Sequence, residues 1–348
     1  MASLPLVSIV IPCFNARQHL DTCLSSLFKL KYPSLEILLI DDLSIDDSIR
    51  FVQSKFGRHN QLKIFQNSQN LGPSQTRNHG IRKASGKYVA FFETDMAAHP
   101  LWIRRMVDYF EKHPEVGAAH SRVFDLRQKK YIQADGMMLV PHTGWVIMRN
   151  YGLTVKSADS TISSVVIGSV GTMARRRVLL QIGGFDTVIG HKVDDIDLGW
   201  RIWLAGYKTV CLPNAVTYHW GGKPQSARPI SIFKAEKYFN RMPRVFIKNY
   251  ELGNLVKFLP WLVLLHLARS IKHLFLGNFI PFLGFVHALG WTIWTLPDTL
   301  IQRQKIQSQR IFSDQFIMDQ VMIKGSFFHI WSKYILPLHQ IAHSTFSK

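Results

Sequence analysis

The chain has 348 residues, enough for one large domain or two ordinary ones, and its 47% hydrophobic content is ample for a buried core. Its 42 basic and 23 acidic residues give a formal net charge of +19, which suits an anionic partner such as a nucleic acid, a membrane surface or a phosphorylated substrate. The chain has three cysteines, whose spacing does not fit a metal site and whose number does not allow an even set of disulfides. This cysteine content favours a reducing compartment.

Strands and helices alternate in the first half of the chain. Continuous apolar runs predict buried strands, which are 6–11 (ended by Pro12), 35–40, 62–65 and 87–92. Apolar residues at helical spacing predict the helices between them, which are 16–30, a segment that begins after Asp46 and Asp47, 74–84 and 100–111. Such regular alternation with short connections predicts right-handed βαβ units, and therefore an α/β fold with a mostly parallel sheet and helices on both faces.

Acidic residues follow two of the predicted strands. Asp41 and Asp42 follow the second strand, and Glu93 and Asp95 follow the fourth. Ligands of parallel sheets bind beyond the carboxyl ends of the strands, so we expect these acids on one rim. No GxGxxG motif follows the first strand and no GxxxxGK[ST] motif occurs, which excludes the usual dinucleotide and P-loop cradles. Asp42 has an alternative role as the cap of the turn into Ser44.

Glu93 and Asp95 are two positions apart at a strand end, so their oxygens can point the same way. They would repel a phosphate group unless a cation lay between them. Hard oxygen ligands favour Mg²⁺ or Mn²⁺, which takes phosphate oxygens in its remaining positions. The pair therefore indicates a metal-assisted phosphate site, and the alternative for Glu93 is a solvated turn.

A second acidic cluster lies far along the chain, where Asp194, Asp195 and Asp197 occupy three of four positions ahead of Arg201. Like charges this close repel, and the apolar flanks place the cluster at the mouth of a packed structure. The structural alternatives are a helix N-cap at Asp194 or Asp195, and an i,i+4 ion pair between Asp197 and Arg201. For Asp195 we favour a chemical role, because the first half of the chain supplies a complementary set of acids.

Five segments in a fixed order carry a family resemblance. They are VSIVIPCFN, LLIDDLSIDDS, NLGPSQTRNHG, GKYVAFFETD and GGFDTVIGHKVDDIDLGWRIWLAGYKTVCLPNAVTYHW. Across residues 7–220 the chain resembles the family 2 glycosyltransferases, which are inverting enzymes with a GT-A fold. The resemblance implies a nucleotide-diphospho-sugar transferase fold, a UDP-, GDP- or dTDP-linked sugar as donor, and Mg²⁺ or Mn²⁺ as cofactor.

The same resemblance implies roles in binding the donor. Asp42 resembles the carboxylate that reads the nucleotide base, and Pro12 and Asn15 resemble the wall of that pocket. Arg77 resembles a further donor contact. Glu93 stands at the first acid of the family's DxD motif, where its extra methylene allows contact with the sugar or an indirect contact with the metal.

The remaining implied roles concern the metal and the acceptor. Asp95 resembles the metal-binding acid of the DxD motif, and His219 resembles the histidine that completes that site, although a lone histidine after a strand also suits a packed core. Asp195 resembles the catalytic base, with Asp194 and Asp197 on the acceptor side or as its supports. The chain departs from the family pattern at three positions, where Glu93 replaces an aspartate, Asp194 replaces a glutamate and Leu43 replaces a small residue. These replacements leave every required functional group in place.

These groups suffice for a direct displacement. A divalent ion would neutralise the negative charge that grows on the leaving diphosphate. The Asp195 carboxylate would take the proton of the acceptor hydroxyl as that hydroxyl attacks. A single displacement of this kind inverts the anomeric centre.

The composition becomes more apolar and basic after residue 222. Interleaved apolar and basic residues up to position 250 suit an anionic membrane surface, and the alternative is a helix packed on the catalytic domain with a solvated basic face. Segment 273–297 contains no Asp, Glu, Lys or Arg and is long enough to cross a bilayer, but Gly277 and Pro281 would break it. We predict four regions: a catalytic domain (1–225), basic amphipathic linker helices (226–252), apolar membrane-associated helices (253–300) and a tail (301–348).

From these patterns we expect monotopic or re-entrant attachment at the cytoplasmic face of the cell membrane, with a spanning hairpin and a buried helical subdomain as alternatives. The predicted protein is thus a metal-dependent inverting glycosyltransferase of cell-surface polysaccharide or glycan assembly, with a saccharide acceptor that its location suggests is lipid-linked. The alternatives are a basic nucleic-acid-binding protein and a catalytically degenerate membrane scaffold. No nucleic-acid module is recognisable and much of the basic excess lies near apolar segments, so no nucleic-acid partner is expected.

Overall fold

A computed structural model describes residues 4–166, 168, 170–190, 193–221 and 241–323. The first part of the predicted amphipathic linker, up to residue 240, and the end of the predicted tail, from residue 324, lie outside the described residues.

The first third of the chain alternates strands with helices, as predicted. Its elements are β1 (Val7–Cys13), α1 (Arg17–Leu27), β2 (Leu35–Asp41), α2 (Ser48–Phe56), β3 (Leu62–Gln66), α3 (Pro73–Lys83), β4 (Tyr88–Phe91), β5 (Met96–Ala98) and α4 (Trp102–Lys112). Each predicted strand and helix is present with small shifts at its ends, while the short strand β5 was not predicted.

The prediction that Pro12 ends the first strand is wrong, because β1 continues to Cys13 and Pro12 stays in register with Ile40 of β2. The carbonyl of Val10 accepts a hydrogen bond from the amide of Phe92. The backbone N–H and C=O positions of alternate residues of β1, including Pro12, therefore point towards β4. β4 ends at Phe91, and the missing N–H of Pro12 therefore interrupts no ladder.

The next part of the chain completes the sheet and adds the helix that carries the second acidic cluster. Its elements are β6 (Val116–Asp125), β7 (Ile132–Ala134), β8 (Met137–Leu139), β9 (Val146–Met148), β10 (Ser163–Ser164), β11 (Thr172–Arg175), α5 (Arg176–Gln181), α6 (Asp194–Leu204) and β12 (Lys208–His219). The sheet order is β10-β12-β6-β11-β4-β1-β2-β3. β3, β2, β1 and β4 are parallel, β6 and β12 are parallel to each other, and β11 lies antiparallel between these two blocks.

Helices cover both faces of the sheet. Ile9 and Ile11 of β1 belong to the apolar core beneath α1 and α4, whereas Val10 belongs to the core beneath α3, α5 and α6. Both faces of the central strand are thus buried, which explains its continuous apolar sequence.

A third apolar core joins α6 to the C-terminal helices. These helices are α7 (Met242–Asn249), α8 (Leu252–Phe275), α9 (Ile280–Trp294), α10 (Leu296–Ser308) and α11 (Asp314–Val321). Trp200 of α6 packs edge-to-face on Tyr250, with ring centroids 4.6 Å apart, and on Phe246 of α7. Leu262 of α8 and Ile317 of α11 are buried in the same cluster.

The C-terminal helices also carry a large exposed apolar surface. Within the described residues α8 alone is long and apolar enough to cross a membrane, and α9 with α10, bent by 61°, makes one further candidate. Only 17% of the apolar window of α8 is buried, unlike the core helix of a soluble protein. Gly277, with a φ of 74°, breaks the predicted 273–297 segment, whereas Pro281 lies in the first turn of α9, where proline is tolerated.

Candidate active site

The Asp42 carboxylate lies at the carboxyl end of β2 and is buried. Its oxygens accept hydrogen bonds from Asn67 Nδ2 (2.7 Å) and from the amides of Leu71 (2.9 Å) and Gly72 (2.8 Å). Asp42 thereby holds the loop that leads into α3. The alternative role predicted for Asp42 belongs to its neighbour, because the amide of Ser44 donates to Asp41 Oδ1 at 3.1 Å.

Two loops with positive-φ residues meet beside Asp42, at the position where the wall of the nucleotide pocket is predicted. Asn15 has a φ of 49°, and its Oδ1 accepts hydrogen bonds from the amides of Ile45 (2.9 Å) and Asp46 (3.3 Å). Leu43 has a φ of 65°, which is costly for a residue with a side chain. These bonds tie the loop after β1, which begins next to Pro12, to the loop after β2. The rim at this end of the sheet is therefore preformed.

Arg77 connects the strand rim to α6. Its buried guanidinium contacts Glu93 Oε1 through Nη2 at 2.5 Å and Asp194 Oδ2 through Nη1 at 3.1 Å. Ser74 Oγ donates a further hydrogen bond to Asp194 Oδ2 at 2.7 Å. Burial opposes the charge on Arg77, but the carboxylates of Glu93, Asp194 and Asp195 raise its pKa overall. The alternative of a solvated turn for Glu93 is wrong, since this carboxylate is paired with a buried cation.

Asp95 and His219 meet on the same rim. His219 Nε2 lies 3.4 Å from Asp95 Oδ1, and its Nδ1 lies 3.0 Å from Gln133 Oε1. β12 pairs with β5, and the amide of Trp220 donates to the Asp95 carbonyl at 2.9 Å, which fixes this approach. Burial lowers the pKa of His219, but the hydrogen bond and charge of Asp95 outweigh it and raise the pKa. His219 is thus partly exposed and paired with an acid of the rim, and its role as a metal ligand stays a prediction.

Asp194 and Asp195 lie in the first turn of α6, whose N-cap position is Val193. Neither aspartate is therefore the N-cap, but the helix dipole favours carboxylates in this turn. Asp195 is half-buried, and its Oδ1 accepts a hydrogen bond from the amide of Ile196 at 2.9 Å. Asp197 forms the predicted pair with Arg201 Nε at 2.7 Å and is fully buried, so it acts inside the protein and not on an acceptor.

The rim can provide part of a metal site. Within the described ranges no group of three or more His, Cys, Asp or Glu side chains is placed to hold an ion. Asp95 and His219 do place an oxygen and a nitrogen ligand side by side. An Mg²⁺ or Mn²⁺ ion that takes most of its ligands from phosphate and water needs only one or two protein ligands, so these residues fit it.

Two solved structures share this architecture. Staphylococcus aureus TarS 1–349 in complex with UDP-GlcNAc matches with a TM-score of 0.58 at 15% identity, over 87% of this chain and 88% of that one. The mannosyltransferase PcManGT from Pyrobaculum calidifontis, in complex with GDP-Man and Mn²⁺, matches with a TM-score of 0.54 at 17% identity, over 88% of this chain and 84% of that one. These likenesses show the fold.

The mostly parallel sheet with helices on both faces is the GT-A fold that these two structures share. Residues 8–181, half of the chain, match the family model described as "Glycosyl transferase family 2", and the chain belongs to this family. The predicted family and fold are thereby confirmed.

Curated relatives match over part of their length. An "Uncharacterized glycosyltransferase" of Haemophilus influenzae is 36% identical over 121 residues, which are 35% of this chain and 38% of the relative. The poly-beta-1,6-N-acetyl-D-glucosamine synthase of Staphylococcus epidermidis is 25% identical over 212 residues, which are 61% of this chain and 49% of the relative. The chain thus spans about half or less of the length of these relatives.

Proposed function

We propose that this chain is an inverting glycosyltransferase, which moves a sugar from a nucleoside diphosphate to a hydroxyl of a saccharide acceptor. The observation that carries the proposal is the contact of Arg77 with both Glu93 and Asp194. It joins the acid at the DxD position to the first acid of the α6 pair, although the two lie far apart in sequence. Donor chemistry and proton transfer need this proximity.

Each residue has a proposed part in the transfer. Asp42, with Pro12 and Asn15 beside it, binds the base of the nucleotide. Asp95 and His219 would hold a divalent ion, which would supply Lewis-acid neutralisation of the charge on the leaving diphosphate.

The acceptor half of the reaction belongs to α6. Asp195 accepts the proton of the acceptor hydroxyl, which then attacks the anomeric carbon as the bond to the diphosphate breaks. Asp194 is held by Arg77 and Ser74 and keeps the first turn of α6 in place.

The donor is a UDP-, GDP- or dTDP-linked sugar in this proposal. TarS in complex with UDP-GlcNAc and PcManGT in complex with GDP-Man and Mn²⁺ share the fold, which supports a nucleotide sugar with a divalent metal. The name of the Staphylococcus epidermidis relative supports a role in polysaccharide synthesis.

We also propose that the C-terminal helices attach the enzyme to the cytoplasmic face of the cell membrane and that the acceptor is lipid-linked. The exposed apolar surface of α8 and α9 supports attachment, because contact with lipid would remove it from water. We propose the four regions that the sequence predicts, which are the catalytic domain, the linker helices, the membrane-associated helices and the tail.

A thermal-shift panel tests the donor. The purified full chain is mixed with UDP-, GDP- and dTDP-linked sugars, each with Mn²⁺ and with EDTA. We expect one nucleotide class to raise the melting temperature with Mn²⁺ and to lose that effect with EDTA. Two results together would favour nucleic-acid binding instead. They are an unchanged melting temperature with every nucleotide sugar, and a salt-dependent change in the electrophoretic mobility of a labelled oligonucleotide.

A further inference from the structure

One buried ammonium group contacts both ends of the segment that carries the acidic pair. Lys248 of α7 has a side chain that is 2% exposed, and its Nζ contacts Asp186 Oδ2 and lies 2.8 Å from Asp197 Oδ1. Asp186 follows the Gly-Gly-Phe turn, and Asp197 lies in α6. Asp194 and Asp195 lie between these two anchor points.

Two arginines complete this buried network. Arg244 of α7 contacts Asp186 Oδ2 at 3.0 Å and Asp298 Oδ2 at 2.6 Å, and so extends the network to α10. Arg201 contacts Asp197 Oδ2 at 2.7 Å and donates to the Gly184 carbonyl at 2.7 Å. The network therefore joins the turn, the acidic helix and the C-terminal helices.

Adhesion between α6 and α7 does not require these charges. Trp200, Phe246 and Tyr250 already form an apolar contact between the two elements. A buried ion network adds little net stability over apolar packing, but its directional bonds restrict how the elements can be placed. What Lys248 supplies is therefore a fixed position of Asp186 relative to α6.

We propose that Lys248 is a positioning residue for Asp195: it holds the turn and α6 so that this carboxylate faces the acceptor hydroxyl. The inference rests on the proposed function. It makes α7 part of the catalytic unit, and it links the helices that carry the exposed apolar surface to the reaction.

The expected effect falls on turnover. A misplacement of about 1 Å costs on the order of 100-fold in rate, so Lys248→Met should lower kcat by about 100-fold. The donor groups Asp42 and Asp95 lie on the strand rim, whereas Lys248 contacts Asp186 and Asp197, so the donor KM should change by less than about 3-fold. Lys248→Arg keeps the charge and can bond two carboxylates, and it should recover most of kcat.

The experiment measures kcat and donor KM for the full-length wild type, Lys248→Met, Lys248→Arg and the control Lys305→Met. Lys305 is exposed and lines the same cavity, of about 320 Å³, that the network borders. The double variant Lys248→Met/Asp186→Asn serves if Lys248→Met does not fold, because Arg244 then keeps Asp298 and Asp197 keeps Arg201 as ion-pair partners. Wild-type-like thermal shifts with nucleotide and Mn²⁺ show that a variant is folded and binds the donor.

Three results would overturn the inference. The first is a folded Lys248→Met or double variant with the wild-type kcat. The second is a fall in kcat that is matched by an equal loss of donor binding. The third is a Lys248→Arg variant that is as slow as Lys248→Met. A wild type that transfers no sugar from any donor would instead contradict the proposed function, which keeps the two failures apart.

Discussion

Arg77 Nη1 lies 3.1 Å from Asp194 Oδ2, although 117 residues separate them in the chain. The same guanidinium contacts Glu93, which follows β4. One buried cation therefore bridges a carboxylate of the strand rim and a carboxylate of α6. Without it, carboxylates from the strand rim and from α6 would repel each other in a poorly solvated site.

Arg77→Met should destabilise the fold. It leaves Glu93 and Asp194 without their shared cation, and breaking a buried pair in this way costs about 3–5 kcal/mol. Urea denaturation measures the change in the free energy of unfolding. Arg104→Met is the matched control, because Arg104 pairs with Asp108 at the surface and its loss should cost less than about 1 kcal/mol. Equal stability losses in the two variants would contradict the bridging role.

Asp195→Asn should abolish transfer while donor binding survives. The amide keeps the shape of the side chain but cannot take a proton, and loss of a general base costs about 10²–10⁴-fold in rate. Transfer is measured with the donor identified by thermal shift, and binding by titration calorimetry. Asp47→Asn, an exposed acid at the start of α2, is the control. Full transfer activity in Asp195→Asn would refute the assignment of the base.

Stability should fall as the pH drops below 6.5. His120 of β6 is fully buried, and burial lowers its pKa from 6.5 to about 4, against the opposing charge of Asp135. Between these values the unfolded chain binds a proton that the folded chain does not, so acid favours unfolding. The loss between pH 7.5 and pH 5 is on the order of 2 kcal/mol, from 1.36 kcal/mol per pKa unit.

The variant His120→Asn tests this pH dependence. The free energy of unfolding is measured by urea denaturation at pH 7.5 and at pH 5 for both proteins. The wild type should lose about 2 kcal/mol more than His120→Asn between these two pH values. Identical pH dependence in the two proteins would show that His120 is not the group that titrates.

The exposed apolar side chains of α8 and α9 should mediate membrane binding. Phe275 is 86% exposed and Trp294 is 78% exposed, and aspartate at either position places a charge where lipid is expected. Phe275→Asp and Trp294→Asp should reduce cosedimentation with phosphatidylglycerol-containing vesicles several-fold. Ile45→Asp is the control, because Ile45 is 88% exposed but lies beside α2 in the catalytic part. Release of the wild type from membranes by carbonate alone would exclude integral insertion.

The sheet and its rim could be predicted from sequence because their signals are local. Apolar runs mark β1 and β2, and strand ends in a parallel sheet must share one edge. The contact of Arg77 with Asp194 and the contact of Lys248 with Asp197 could not be predicted, because no periodicity links positions so far apart. Pro12 misled the prediction since its effect depends on which neighbouring strand it faces.

In the proposed enzyme a divalent ion at Asp95 holds the nucleotide sugar, while Asp195 acts from α6. Titration calorimetry of the nucleotide that passes the thermal-shift panel, with and without Mn²⁺, tests it most directly on the wild type and on Asp95→Ala. We expect the wild type to bind the nucleotide tightly only with Mn²⁺, and Asp95→Ala to bind it at least about 10-fold more weakly. Mn²⁺-dependent binding by Asp95→Ala that is as tight as in the wild type would contradict it.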